Sequence, residues 1–176
     1  MNLLDAFKRG DSQASARLMS LVYADLHRLA RAQGVSAGGT MNATSLVHEC
    51  YLKIMDSSST SVESKNHFFN LASRVMRQVL CDYARERLTE KRGAGAMHDT
   101  LSKVDAEIHA DALGLIEIDE LLTQLSAIHP GAARVFECRY FAGLSEQETA
   151  DALDISLRTS QREWQLARQW LAERLS

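Results

Sequence analysis

The stretch LSEQETADALDISLRTSQREWQLARQWLAERL, residues 144–175, determines how the C-terminal part of the chain folds. Ser145 stands three residues before Glu148, the spacing with which a serine and a glutamate side chain close the first turn of a helix. A second serine, Ser156, is placed to cap another helix, and only Asp154 and Ile155 separate it from the first one. The stretch therefore predicts a short helix, a tight turn and a longer helix.

The joint between these two predicted helices has two unusual residues. Ala150 is small enough for the helices to cross closely, and Ile155 can fill the wedge between them. Asp154 stands where glycine is usual, so we expect an aspartate with left-handed backbone geometry. Ser160 stands where an aliphatic side chain is usual, which predicts a looser joint. The inner face of the second helix is expected to consist of Trp164, Leu166, Ala167, Trp170 and Leu171.

The outward face of the second helix is basic and polar. It is expected to present Arg158, Thr159, Gln161, Arg162, Gln165 and Arg168. Arginine can bond guanine or phosphate, glutamine can bond adenine, and threonine can contact a methyl group or a phosphate. The pattern therefore predicts a helix-turn-helix that reads the major groove of DNA. An ordinary helical hairpin with solvated arginines is the alternative that the stretch alone leaves open.

Composition favours a helical intracellular protein. Of the 176 residues, 45% are apolar, and a single proline leaves long stretches without helix breakers. Cys50, Cys81 and Cys138 are far apart, which predicts neither a disulfide framework nor a metal site, and suggests a reducing, cytoplasmic compartment. We expect each thiol to fill a helix interface. No stretch approaches the ~18 apolar residues of a membrane span, and no cofactor is expected.

Charge is distributed unevenly along the chain. The formal net charge is −3 and the pI is about 6.1, although DNA-binding domains are usually basic. Basic residues outnumber acidic ones over 74–92 and 158–176, whereas 98–120 is acidic. This pattern predicts a weak DNA binder that acts together with a carrier.

Hydrophobic spacing of three and four residues predicts helices through most of the chain. They are expected over 2–9, from about 12 to 33, 44–55, 68–87, 115–128 and about 133–142, before the two helices already described. The fold class is therefore all-α, without strands. We expect two helical domains, 1–91 and 115–176, joined by a linker over 92–114 that contains Gly93 and Gly95.

Three further motifs, together with the stretch 144–175, resemble the ECF-type (extracytoplasmic function) RNA polymerase sigma factors. The chain has LVYADLHRLA from Leu21, ATSLVHECYLKIM from Ala43 and HFFNLASRVMRQVLCDYARER from His67. They are similar to sigma region 2 in the branch with ATxLVHExYL and HFFxxASRxMRxxLxDYAR motifs. The C-terminal stretch is similar to the region 4 helix-turn-helix, and the order along the chain is the same.

The resemblance implies a protein that binds core RNA polymerase, through the β′ clamp helices and the β flap, and promoter DNA. Residues 1–91 would contact the clamp and the −10 element, and residues 115–176 the −35 element. Polymerase-binding candidates are Leu46, Glu49 and Lys53. The −10 candidates are Arg74, Arg77, Gln78, Arg85 and Arg87, where Gln78 replaces a frequent asparagine. Phe68 and Phe69 either stack on exposed bases or belong to the core.

The resemblance also implies a mode of regulation. Members of the family usually carry several acids at the start of the clamp-binding helix, but this chain has none from Gly34 to His48. A group of the family that lacks these acids is switched on by a Ser/Thr kinase. Thr44 is the phosphorylation candidate, because a phosphate there would lie at a helix N-terminus. Thr44 as a mere cap, and control by an anti-sigma factor, stay open.

Other functions fit the sequence less well. A stand-alone helix-turn-helix regulator would bind palindromic DNA as a dimer, and would leave the N-terminal motifs without a role. For an enzyme, the six histidines are too scattered, and His48-Glu49 lacks a second histidine four residues after the first. The chain also has no phosphate-binding loop and no GxSxG motif. We therefore expect no catalytic residue.

Overall fold

The computed structural model describes residues 20, 23–28, 43–56, 64–93 and 103–175. Every regular element in these ranges is helical, which confirms the all-α prediction. Residues 23–28 are helical, as predicted. The predicted helix 2–9 and the remainder of the helix expected from about 12 to 33, apart from Ser20, lie outside the described residues.

Six α-helices and one π-helical segment can be named in the described part of the chain. They are α1 (Ala43–Asp56), α2 (Lys65–Gly93), α3 (Lys103–Ile128), α4 (Pro130–Phe136), the π-segment (Glu137–Phe141), α5 (Glu146–Leu153) and α6 (Leu157–Ala172). The chain turns between α3 and α4 at His129, where Pro130 takes the first helical position of α4.

The segment predicted as a linker contains regular structure at both ends. Helix α2 continues to Gly93, and α3 begins at Lys103, well before the predicted start near Leu115. The prediction rests on Gly93, Gly95 and weak periodicity, but α3 covers most of the second half of the segment, including Gly114, which lies inside the helix with open space around the position of its missing side chain. One glycine within a helix costs about 1 kcal/mol relative to alanine, which a long helix tolerates.

The N-terminal part of the core lies between α1 and α2. Leu46, Val47 and Cys50 of α1 are fully buried, as are Ala72 and Met76 of α2. Phe68 and Phe69 are also buried, with ring centroids 5.8 Å apart. The suggestion that these rings stack on exposed bases is therefore wrong for this structure, because both belong to the core.

The C-terminal part of the core is built around α6. Ala167 and Leu171 are buried, and the Trp164 ring stacks on Phe136 at 5.4 Å between centroids. Leu166, predicted to lie on the inner face, is instead 37% exposed. One residue along an α-helix turns the side chain by about 100°, so Leu166 cannot share the face of Ala167.

Helix α2 joins the two parts of the structure. It packs against α1 on one side, and against α3, α5 and the π-segment on the other. The same cluster of buried side chains includes Met76 and Val79 of α2 and Leu122 and Leu125 of α3. The two predicted helical units therefore share one continuous core in this structure.

The helix-turn-helix joint has the local geometry that the sequence predicts. Ser145 Oγ accepts a hydrogen bond from the Glu148 N–H at 3.2 Å, and Glu148 Oε2 accepts one from the Ser145 N–H at 2.9 Å. Ser156 Oγ accepts from the Thr159 N–H at 3.1 Å. Asp154 has left-handed backbone angles, φ 53° and ψ 48°. Both caps and the left-handed aspartate are therefore confirmed.

Ser160 is buried in this joint, with 1% of its surface exposed. Its hydroxyl has no hydrogen-bond partner among the described residues, and the same is true of the buried Thr149 hydroxyl. A buried hydroxyl without a partner destabilises a fold by roughly 1–3 kcal/mol. The expected aliphatic position is thus filled by a group that weakens the packing of α6.

Substitution of Ser160 in α6 and of its N-cap Ser156 should change stability in opposite directions. Ser160→Ala removes the unpartnered hydroxyl and should raise the free energy of unfolding by about 1 kcal/mol. Ser156→Ala removes a cap and should lower it by about 1 kcal/mol. Urea unfolding followed by circular dichroism measures both. A lower stability for Ser160→Ala would show that its hydroxyl is satisfied in solution.

The three thiols should be unreactive in the folded protein. Burial raises the pKa of Cys50 to about 12, and burial with the nearby Asp119 carboxylate raises the pKa of Cys81 to about 12. Burial raises the pKa of Cys138 to about 11. Because the thiolate is the reactive form, an aromatic disulfide reagent at mildly alkaline pH should label all three only in denaturant. Rapid labelling of the native protein would contradict this burial.

Candidate nucleic-acid interface

Helix α6 brings most of its predicted DNA-reading residues together. Arg158, Gln161, Arg162, Gln165 and Arg168 are all exposed. Their spacing of three and four residues puts them on one face. The Arg162 side chain is 74% exposed. The face is open because the opposite side of α6 packs against α4.

Thr159 differs from the rest of this row. Its side chain is half-buried, and its hydroxyl lies 2.8 Å from Ser156 Oγ. Its N–H is held by the same serine. Thr159 therefore fixes the start of α6, and contributes less surface than the sequence prediction assumed.

Two carboxylates lie against the exposed row. Gln161 Nε2 donates to Glu146 Oε2 at 2.9 Å, and Arg139 pairs with the other oxygen of Glu146 at 3.1 Å. The hydrogen bond from Gln161 holds the pKa of Glu146 below its usual value, and Arg139 adds to this effect. Arg162 pairs with Glu163 at 3.0 Å. The contacts of Gln161 and Arg162 are exposed, so an incoming ligand can replace them.

Aromatic and cationic groups fix the orientation of α6 on its neighbours. The Arg139 guanidinium, from the π-segment, lies 4.5 Å from the centre of the Trp164 ring. The Arg168 guanidinium lies 5.9 Å from the same ring, but this contact is within α6 and does not orient the helix. Phe136, which stacks on Trp164, also stacks on Tyr140 at 5.0 Å. Such contacts contribute roughly 0.5–2 kcal/mol each, and together they hold the exposed row in a defined direction.

The −10 candidates on α2 divide into two groups. Arg74, Gln78 and Arg85 are exposed, and their spacing of four and seven residues puts them on one side of the helix together with Arg77. Arg87 lies on another side, because it follows Arg85 by only two residues, and its guanidinium is 5.9 Å from the Tyr83 ring centre. The structure therefore does not bring Arg87 to the other candidates.

Arg77 is enclosed by acceptors from the C-terminal part of the chain. Its Nε donates to Asp119 Oδ1 at 2.7 Å, and its Nη2 donates to the Asp119 carbonyl and to Thr123 Oγ1, both at 3.0 Å. Its Nη1 donates to Glu137 Oε1 at 3.4 Å. Arg85 Nη2 donates to the second oxygen of Asp119 at 2.6 Å. Sequence reasoning missed Asp119 and Glu137 as members of any site.

Glu137 begins the π-segment and is almost fully buried. Burial raises the pKa of its carboxyl, while Arg77 acts in the opposite direction. In the sequence, Glu137 is an acidic residue two positions before the basic Arg139, and this pattern does not mark a site. Only the fold shows that Glu137 faces Arg77.

The three polymerase-binding candidates on α1 have different environments. Leu46 is completely buried, so its assignment to the binding surface is corrected: its side chain holds α1 on α2. Glu49 is exposed, and Lys53 Nζ pairs with Asp82 Oδ2 at 3.0 Å. Glu49 and Lys53 line a groove between α1 and α2 together with Ser45, Val79, Asp82, Tyr83 and Glu86.

Thr44 lies in the first turn of α1 with its side chain exposed, and that turn contains no acidic residue. Among the described residues, no three His, Cys, Asp or Glu side chains are grouped so as to hold a metal ion. Within the same ranges, no helix combines the length and the apolar character that a membrane crossing needs.

Comparison with known proteins identifies the family. The family model described as ECF sigma factor matches residues 1–176. Neither the curated proteins nor the solved structures contain a match. The branch indicated by the N-terminal motifs stays a prediction. The chain belongs to the ECF sigma factor family, and its role is that of a sigma factor in transcription initiation, with core RNA polymerase and promoter DNA as partners.

Proposed function

We propose that this sigma factor reads the −35 promoter element with α6 and engages the −10 element with α2. The observation that carries the proposal is the exposed row Arg158, Gln161, Arg162 and Gln165 on a capped helix-turn-helix. Residues 1–91 act as region 2, which contacts the clamp and the −10 element, and residues 115–176 act as region 4, which contacts the −35 element. The two regions share a core in the free protein.

Reading by α6 follows from shape and chemistry. An α-helix fits the major groove, where each base pair presents a distinct pattern of donors and acceptors. The row begins in the first turn of α6, where the Ser156 cap and the helix dipole favour an approaching phosphate. Arg158 and Arg162 then supply bidentate donors, and Gln161 and Gln165 supply amides suited to adenine.

Engagement of the −10 element by α2 depends mainly on charge. Arg74 and Arg85 lie with Gln78 on one side of the helix, and can follow the phosphates of a single strand. Arg77 lies on the edge of the same surface, where it is bonded to Asp119 and Glu137. The loop before α2 includes residues 57–63, which lie outside the described residues.

A stand-alone regulator accounts for α6 but gives no role to the residues of α1 and α2. The formal net charge of −3 also supports dependence on polymerase, because non-specific DNA affinity comes mainly from neutralised phosphates. Docking on polymerase would use Glu49 and Lys53 at the groove between α1 and α2 for the β′ clamp helices, and residues of the C-terminal unit for the β flap.

Regulation by phosphorylation forms a finer part of the proposal. Thr44 is exposed in the first turn of α1, where a phosphate would meet unpaired backbone N–H groups and the positive end of the helix dipole. A phosphate adds about −1.5 to −2 charges, which would supply the acidic character missing from this turn. A Ser/Thr kinase would then control docking on the basic clamp surface.

Replacement of Arg162 should weaken promoter reading without affecting docking. Arg162→Ala removes a bidentate donor from the row, so discrimination at one −35 position should fall by roughly 1–3 kcal/mol. Run-off transcription with core polymerase on a set of single-base −35 variants measures this. Arg134→Ala is the control, because Arg134 is exposed on α4. Unchanged selectivity for Arg162→Ala, at equal core affinity, would remove Arg162 from the reading surface.

Phosphorylation of Thr44 should strengthen binding to core polymerase. The protein with phosphothreonine incorporated at position 44 should bind core about tenfold more tightly than the unmodified protein, a difference of about 1.4 kcal/mol. Thr44→Ala should bind like the unmodified protein. Aspartate at this position should rescue little, because it has a smaller charge and a shorter reach. Tight core binding and full transcription by the unmodified protein would contradict the switch.

A further inference from the structure

The contact between α2 and the C-terminal part of the chain uses the residues that α2 offers to DNA. Asp119 places one carboxylate oxygen on Arg77, at 2.7 Å, and the other on Arg85, at 2.6 Å. Glu137 adds a third oxygen, 3.4 Å from Arg77. These two acids, which we call the acidic pair, therefore bind two of the five −10 candidates.

The acidic pair leaves Arg77 little capacity for another ligand. A guanidinium has five N–H donors, and those of Arg77 reach Asp119, Thr123 and Glu137. The side chains of Arg77 and Asp119 are only 20% and 15% exposed, so solvent screens their attraction weakly. Arg85 is half exposed and also contacts Asp82 at 3.5 Å, so it is bound less tightly.

Each guanidinium donates to a single carboxylate oxygen of Asp119 at the short distance of a charge-assisted hydrogen bond, and a phosphate oxygen can take the same position. A strand whose phosphates bind Arg77 and Arg85 must therefore replace the acidic pair. The row on α6 differs on the donor side: the Arg162 side chain is 74% exposed although its partner Glu163 is partly buried, whereas the Arg77 side chain is 20% exposed.

We propose that Asp119 and Glu137 form an internal mask, in which carboxylates occupy the guanidinium sites of α2 that take phosphates of −10 DNA. The mask rests on the proposed −10 function of α2. It weakens the affinity of the free protein for single-stranded DNA, while the α6 row stays open. Only molecules in which Arg77 and Arg85 have left the acidic pair can bind the strand. The apparent affinity is therefore reduced in proportion to the fraction of such molecules.

Additional contacts hold the mask in place. Arg28 Nη2 pairs with Glu148 Oε1 at 2.9 Å, which ties residues 23–28 to the first helix of the helix-turn-helix. Thr123 Oγ1, which accepts from Arg77, also donates to the Asp119 carbonyl at 2.9 Å. Docking on polymerase can release the arginines if it moves α3 and the π-segment away from α2.

The test compares two variants that each remove two negative charges. Asp119→Asn/Glu137→Gln removes the mask with little change in shape, and Glu117→Gln/Glu120→Gln is the control, since both of its sites are exposed on α3. The probe is a fluorescein-labelled single DNA strand of mixed sequence, and anisotropy at low salt gives its affinity. We expect the first variant to bind about tenfold more tightly than the control.

The gain in affinity should disappear when Arg77→Ala/Arg85→Ala is added to the unmasked variant. An equal gain in the control variant, or a gain that persists without the two arginines, would overturn the mask. Thermal unfolding checks that each variant folds. If the double variant unfolds, the affinity of Asp119→Asn alone is compared instead. This variant removes one negative charge, and its asparagine still accepts the hydrogen bond from Arg77 Nε that helps the interface to form.

Failure of the mask and failure of the proposed function give different results. Run-off transcription by polymerase with Arg77→Ala/Arg85→Ala tests the −10 function separately. Loss of transcription in that variant, with no affinity gain on unmasking, overturns the mask alone. A gain in affinity on unmasking, with full transcription by the arginine variant, overturns the −10 function of these residues and the mask that depends on it.

Discussion

The Asp119 carboxylate, shared between Arg77 and Arg85, is the interaction on which the arrangement of the molecule depends. It connects a helix of the N-terminal part to a helix of the C-terminal part across a partly buried interface. Charges in such a place stabilise only when their remaining donors and acceptors are satisfied. Thr123 and Glu137 meet that condition for Arg77. Removal of one partner would leave a poorly solvated charge, so the interface forms as a unit.

This interface would give the two surfaces that we propose for DNA binding different availability. The row on α6 faces away from the shared core, and its side chains are exposed. The side of α2 that carries Arg77 faces the acidic pair instead. A chain with a formal net charge of −3 thus has an exposed basic row on α6, while Arg77 and Arg85, which we propose for single-strand binding, are paired with its own carboxylates. Such an arrangement suits a subunit that acts on DNA only within a larger assembly.

Local features of the candidate site could be predicted from the sequence, and long-range ones could not. The capping box of Ser145 and Glu148 and the left-handed Asp154 depend on neighbours a few residues away, so the pattern alone identifies them. Arg77 and Asp119 are 42 residues apart, and nothing local distinguishes Asp119 from the other acids of its segment. Leu46 shows the limit of helical periodicity, which assigns a face but does not say what covers it. The linker prediction starts α3 too late, because the hydrophobic periodicity before Leu115 is too weak to indicate a helix.

Run-off transcription with core polymerase on promoter fragments of the source genome is the direct test of promoter-specific initiation by this protein. We expect discrete transcripts only when core and this protein are both present, from start sites that share −35 and −10 sequences. We also expect that the protein alone does not shift these fragments in a gel. Stable binding of the protein alone to palindromic sites, with no transcripts beyond those of core, would contradict promoter recognition together with polymerase.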